Sequence, residues 1–429
     1  GEAKYLDLME STLYNALLSG IALEGTRFFY PNPLESVGQH ERAEWFGCAC
    51  CPGNVTRFIA SVPGYVYAIR NDELFVNLYA SNEAQLVINN NKLRVAQETE
   101  YPWNGAIRVT LHPEAEGLPM TLNLRIPGWA QGRPLASDLY RYLNNEPAQI
   151  SVQVNGEAVP LESKNGFAQI RRAWRANDVV ELDLPMLIRR VVAHDSVKAD
   201  IGRVALERGP LVFCAEWPDH EGGHVRNLFL ADDAGLTTEF FSDRLNGIQV
   251  LRGKVAGYYA GKNEALEKRE QELLAIPYYA WAHRGKGEMT VWFARNEAAV
   301  QPVGLPPLAS TSQVQASFGK NPQAVHDLLE PGSSNDHEVP YFHWWPNKGT
   351  TEWIQYDFNK PEEVSTMEVY WFDDTGVGEC RVPQSWRILY WENGDWRPVY
   401  TPGAYGIQKD QFNEVVFGRI IKWQNDFLG

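Results

Sequence analysis

Cysteine is scarce in this chain: five residues in 429. The count is odd and two thiols are adjacent, which excludes a disulfide framework. An excess of positive charge is also missing. Lys and Arg number 39 against 54 Asp and Glu, for a net charge of -15. Nucleic acid, which needs a basic footprint, and anionic membrane surfaces are thereby excluded as partners. No apolar run is long enough to span a bilayer, and no repeat of fixed period or long low-complexity stretch occurs. There is no initiator Met and no signal peptide. Gly1 is followed directly by a helical pattern, so the N-terminus is expected to be a cut and not a natural start. What is present is a globular composition, 44% hydrophobic and 22% charged, with length for two to four domains. Trp (15) and Tyr (19) are abundant. Their rings stack on sugars, but they also build cores, which is the commoner use.

The stretch "EAKYLDLMESTLYNALLSGI" predicts an amphipathic helix over 2–21. Tyr5, Leu6, Met9, Leu13, Tyr14, Leu17 and Ile21 share one broad face. Glu10 falls inside that stripe, where a carboxylate is costly without a partner. It either reaches water at the stripe's edge or belongs to a site. "RFFYPNPLES" reads as a Pro-punctuated loop. "PGNVTRFIASVPGYVYAI" reads as a second helix, stopped near Pro63 and Gly64. From Asn71 the period becomes two, in short runs such as "AIRVTLH" and "DVVELDLPM" divided by turn residues. The expected fold class is mainly β. One β-sandwich is expected over 71–190 and a second over 191–300. A Pro-rich linker covers 301–311, and a third β region runs over 312–429.

Three of the five cysteines, Cys48, Cys50 and Cys51, lie in "WFGCACCPGN". Thiolates are soft ligands, and this spacing puts two or three of them within reach of one Zn²⁺. The Pro-Gly-Asn that follows opens a helix, whose N-terminal dipole favours a thiolate. The cluster therefore suits a metal or an activated nucleophile. A vicinal disulfide, an iron–sulfur cluster and three structural thiols are the alternatives. A fourth zinc ligand is not evident, and His40 in a polar loop is weak support. Cys214, in "GPLVFCAEW", reads as a small core residue, and Cys380 as a loop thiol without a role.

The runs "GEAKYLDLMESTLYNALLSG", "FFYPNPLES" and "WFGCACCPGN" resemble the end of the catalytic domain of glycoside hydrolase family 127, to which family 146 is related. "RRVVAHDSVKAD" and "GRVALERGPLVFCAEWP" are similar to its β-sandwich region. Roughly residues 1–300 are covered. The resemblance implies that 1–70 end an (α/α)₆ barrel. It implies a retaining β-L-arabinofuranosidase with a zinc-bound cysteine nucleophile and a thioglycosyl intermediate. Carried onto this chain, Cys50 is nucleophile and zinc ligand, and Cys51 a second ligand. Glu10 matches a carboxylate that hydrogen-bonds the sugar hydroxyls, and Tyr30 a tyrosine that contacts the sugar. Cys48 lies outside the matched pair. The family's Glu-x-Cys half-site and its general acid/base Glu lie upstream of these residues and are not in this chain. The reading is of a fragment, inactive alone, from a bacterial protein of the periplasm or exterior that acts on plant-type arabinose-containing glycans. A non-catalytic carbohydrate-binding assembly, a glycosidase for another sugar and a thiol redox sensor are its rivals.

Residues 312–429 resemble a discoidin-like (coagulation factor 5/8 C-type) module, itself similar to family 32 carbohydrate-binding modules. "SQVQASFG", "AVHDLLEPG", "TEWIQYDF" and "VPQSWRILYWENGDWRPV" carry the likeness. Trp353 and Trp386 are expected in its core. Tyr341, Trp344 and Trp345, in "YFHWWPNKG", are candidates for a sugar platform. Asp373 and Asp374 are candidates for a Ca²⁺ site. "GRIIKWQNDFLG" lacks the alternation expected of final strands, so the module is expected to be incomplete.

Overall fold

The structure is a computed structural model that describes residues 2–144, 149–261, 265–304, 306–336, 339–360 and 362–421. The chain divides into two compact units, Gly1–Val303 and Gly304–Gly429.

The first unit opens on helix α1, Ala3–Ser11, which continues as a π-helical stretch, Thr12–Leu17. The expected helix is there, and its apolar stripe is for the most part half-buried. Of the stripe, Tyr5 is 65% exposed, while Glu10 within it is buried; Ala3, Asn15 and Ser19 are buried beside it. This polar face is satisfied from elsewhere in the unit. Asn15 Nδ2 donates to Pro210 O (2.9 Å), and its Oδ1 accepts from Val212 N (2.9 Å). Helix α2, Cys50–Ser61, follows, with the short helix Pro63–Val66 behind it.

Next come two sheets that share one core. The six-stranded sheet runs Glu157–Ala158, Ser151–Val154, Asp178–Asp183, Ala106–Pro113, Asn91–Thr99, Asn82–Ile88. The five-stranded sheet runs Ser163–Lys164, Phe167–Trp174, Leu118–Arg125, Glu73–Val76, Tyr67–Arg70. Burial alternates along Ala106–Pro113 as the period of two requires. Val109 and Leu111 from the first sheet and Leu122, Leu124 and Trp174 from the second meet in the core.

Beyond residue 187 the fold departs from a second sandwich of two separate sheets. The strands described there belong to a single eleven-stranded sheet. Arg203–Arg208 pairs with both Phe293–Ala294 and Leu211–Glu216, so the sheet closes on itself. Closure leaves fewer edges to protect. Two strands join from outside the region: Tyr140–Tyr142 at one end and Glu35–Val37 at the other. Glu35–Val37 comes from the "NPLES" loop and pairs with Glu288–Thr290.

In the second unit the described strands form three antiparallel pairs. These are Gln313–Ala316 with Ile354–Asp357, Glu363–Tyr370 with Phe412–Ile421, and Leu389–Glu392 with Asp395–Pro398. Val399, Val415 and Phe417 centre a core against which Trp386 packs. Trp353 does not join it: it is 49% exposed. Its backbone is held by Ser317 on both sides, which leaves the ring outside. Residues 418–421 of "GRIIKWQNDFLG" do form strand, with Ile420 and Ile421 paired with Val364 and Glu363. The rest of that stretch lies outside the described residues.

Candidate active site

Helix α2 begins at the cysteines. Ala49 is its N-cap, and Cys50 and Cys51 are its first two residues. Pro and Gly follow within the first turn, where Pro costs no hydrogen bond. Asn54 Nδ2 donates back to Cys50 O (2.9 Å). The two thiols thus sit where unpaired backbone N–H groups and the helix dipole favour negative charge.

Cys50 Sγ lies 3.9 Å from Cys51 Sγ and 3.4 Å from the Tyr30 hydroxyl. Tyr30 packs edge-on against Phe46 (centroids 5.3 Å). The Tyr30 hydrogen bond, then those of Cys51 and Cys48, hold the Cys50 thiol below its ordinary pKa. Burial, then Cys50 itself, pushes Cys51 up. The hydrogen bond to Cys50 and the charge on the sulfurs push Tyr30 up to about 12. Of the adjacent pair, Cys50 is therefore the one favoured as thiolate, and Tyr30 remains a phenol that can donate to it.

The pair fits one edge of a zinc site. With Zn–S bonds of about 2.3 Å, tetrahedral ligands stand about 3.8 Å apart. Among the described residues, no set of three or more Cys, His, Asp or Glu side chains is placed to hold a metal ion.

Glu10 is partnered elsewhere. It is 1% exposed and accepts from Tyr101 Oη (2.7 Å) and from Arg125 Nη2. Neither partner stood out in the sequence. A buried carboxylate signals that a cation must exist, but not which one. His40 contacts Ser36 Oγ (3.0 Å). Cys48 is exposed, and Cys214 is fully buried in the core.

In the second unit Tyr341 (53%) and Trp345 (43%) are exposed. Trp344 turns inward: its ring packs on Phe342 (5.1 Å) and its indole nitrogen is buried. Asp373 Oδ1 accepts from Thr375 N (2.9 Å), and Asp374 Oδ1 from Cys380 N (2.8 Å) and Arg381 Nη1 (3.5 Å). These carboxylates close a loop beside a guanidinium. That donor set does not fit Ca²⁺, which takes six to eight oxygens.

Family models match four stretches of the chain. Residues 1–64 match the GH127 catalytic domain of β-L-arabinofuranosidases, 73–186 its middle domain and 188–294 the glycoside hydrolase family 127 C-terminal domain. Residues 308–425 match the F5/8 type C domain. The chain is 32% identical over 323 residues to a non-reducing end β-L-arabinofuranosidase of Bifidobacterium longum subsp. longum, covering 68% of this chain and 46% of that protein. It is similar to a solved GH127 β-arabinofuranosidase (TM-score 0.69, 46% identity, 71% of this chain and 48% of that one). A second solved relative is a GH127 β-L-arabinofuranosidase from Geobacillus stearothermophilus T6 (TM-score 0.62, 39% identity, 69% and 47%). The class is thus that of glycoside hydrolases. Within it, the chain belongs to glycoside hydrolase family 127 and carries an F5/8 type C domain in addition. It spans about half the length of the relatives it matches. Among the described residues no helix is long and apolar enough to cross a membrane.

Proposed function

We propose that this chain is part of a retaining β-L-arabinofuranosidase with Cys50 as nucleophile. The observation that carries the reading is the contact of Tyr30 with Cys50, beside Cys51 at 3.9 Å, at the start of α2. Cys50 Sγ attacks the anomeric carbon as the bond to the leaving oxygen breaks, and water later displaces the sulfur with a second inversion. Cys50 and Cys51 would hold zinc, which keeps thiolates deprotonated. Tyr30 donates to the sulfur and, at 52% exposure, has a free edge for the sugar. The leaving oxygen takes its proton from a carboxylic acid that we place, with the remaining zinc ligands, in the half of the relatives' length not spanned here.

Glu10 as a sugar ligand fits less simply, because Tyr101 and Arg125 cover it. Its contact with substrate would need one of them to share its oxygens. Polymeric arabinose-containing plant glycans as substrates place the protein in the periplasm or outside the cell of a bacterium. Tyr341 and Trp345 of the F5/8 type C unit would serve as a two-ring sugar platform.

Zinc content and turnover of an aryl β-L-arabinofuranoside by the full-length protein test the reading. One zinc per chain is expected, lost in Cys51→Ser, with turnover abolished in Cys50→Ser. The 429-residue chain alone should show none. Full turnover in a zinc-free protein, or in Cys50→Ser, sinks it.

A further inference from the structure

Tyr30 is carried by residues 28–33, and that strap is fastened at both ends by the closed sheet's side of the unit. At one end Phe29 is buried and stacks on Trp281 (centroids 5.0 Å, 17°). The Arg42 guanidinium covers the Phe29 ring at 4.5 Å and donates to Ser19 O and Trp281 O. At the other end Tyr278 Oη donates to Pro33 O at 2.8 Å. Asn32 Nδ2 also reaches Ala16 O (3.1 Å). Tyr278 and Trp281 stack in turn (6.4 Å, 19°). Tyr278 opens the 3₁₀ turn Tyr278–Ala280 directly after strand Leu266–Pro277. Two residues beyond Pro33 the chain enters the same sheet as Glu35–Val37. The strap has little freedom except at Tyr30 itself, which projects to Cys50.

We propose that Tyr278 is a positioning residue for the thiol site: its hydroxyl, by holding Pro33 O, fixes where Tyr30 meets Cys50. This rests on the reading of Tyr30 and Cys50 as a working pair. Tyr278 touches neither the sulfur nor a substrate. Its ring is buried on its own account, so the hydroxyl is the part that reports on the strap. The family's C-terminal domain thereby takes part in the site made by its catalytic domain.

The test is the rate at which iodoacetamide alkylates Cys50 near neutral pH in the reduced, metal-free 429-residue chain. Peptide mass spectrometry separates Cys50 from Cys48 and Cys51. Tyr30→Phe should slow the reaction about 3- to 10-fold, the worth of one hydrogen bond to the sulfur. Tyr278→Phe, which keeps the buried ring and whose unfolding temperature checks the fold, should slow it about 3-fold or more. In the Tyr30→Phe background it should add nothing, which a merely structural role would not give. The proposal is overturned if Tyr278→Phe leaves the rate unchanged, or if the two effects multiply. It also falls if Tyr30→Phe has no effect, while zinc and turnover of the full-length protein still decide the roles of Cys50 and Cys51.

Discussion

Arg125 is the residue on which the joint between helix and sandwich turns. Its guanidinium, fully buried, donates to Asp7 Oδ1 (2.8 Å), to Glu10 and to Asn77 O (2.6 Å). Asp7 uses its other oxygen on Gly128 N (3.1 Å). Burial pushes the Asp7 carboxyl above its ordinary range, against the pull of Arg125. A buried charge is tolerable only when paired, and removing one partner costs more than the pair contributes. Arg125→Met should therefore destabilise the chain by about 3–5 kcal/mol, measured as a shift in urea midpoint. Adding Glu10→Gln should restore part of the loss. A cost below about 1 kcal/mol, the worth of a surface pair, would show that the network holds nothing. Half of this was readable beforehand. A carboxylate on an apolar stripe demands a partner. The partner lies 115 residues away, at the end of a strand whose Arg looks like any other outward position. The thiol pair at a helix start was readable from "CCPGN" alone. The approach of Tyr30 to Cys50 was not, because it is made by a loop whose course is set by Trp281 and Tyr278. Trp353 shows the opposite error, since a tryptophan in a strand pattern need not face inward.

At the scale of elements, α1 shows what periodicity can and cannot decide. The period of 3.6 gives a helix, and a helix forms. Which face it buries depends on what it meets, and here it meets backbone ends. Asn15, 7% exposed, bonds Ser11 O (2.8 Å), Pro210 O and Val212 N. The last two lie at the start of strand Leu211–Glu216. The π-helical stretch surrounds Asn15, and such widened turns occur mostly where a side chain has a specific task. Asn15→Ala should leave the Val212 amide without its acceptor and cost about 1–3 kcal/mol. Thermal or urea unfolding measures it, and a variant within about 0.5 kcal/mol of wild type, the range of an ordinary surface change, would refute the docking role. Strand positions followed from alternation wherever one face is buried. The joining of strands into a closed sheet did not, because pairing of Arg203–Arg208 with Phe293–Ala294 links segments far apart in sequence. No local pattern encodes that.

At the scale of the molecule, the two units differ in what they need. On the proposed reading, the thiol site supplies Cys50 and Cys51 and would need further zinc ligands and an acid. The F5/8 type C unit has its own core around Val399, Val415 and Phe417, and its exposed rings need nothing from the thiols. Of the three aromatics in "YFHWWPNKG", Trp344 is spent on packing, which leaves Tyr341 and Trp345. Lys348 Nζ lies over the Trp345 ring at 4.7 Å and is paired with Glu379 (2.6 Å), so a sugar has the opposite face to stack on. Binding by this unit should therefore be separable from catalysis. In affinity electrophoresis the 429-residue chain is expected to be retarded by a soluble arabinose-rich plant glycan. Tyr341→Ala and Trp345→Ala should each weaken retention about 3- to 10-fold, the worth of one aromatic contact. Cys50→Ser and chelation of metal should leave retention unchanged. If retention instead vanishes with Cys50→Ser and survives Trp345→Ala, glycan is held at the thiol site, and the exposed rings of the second unit have some other use.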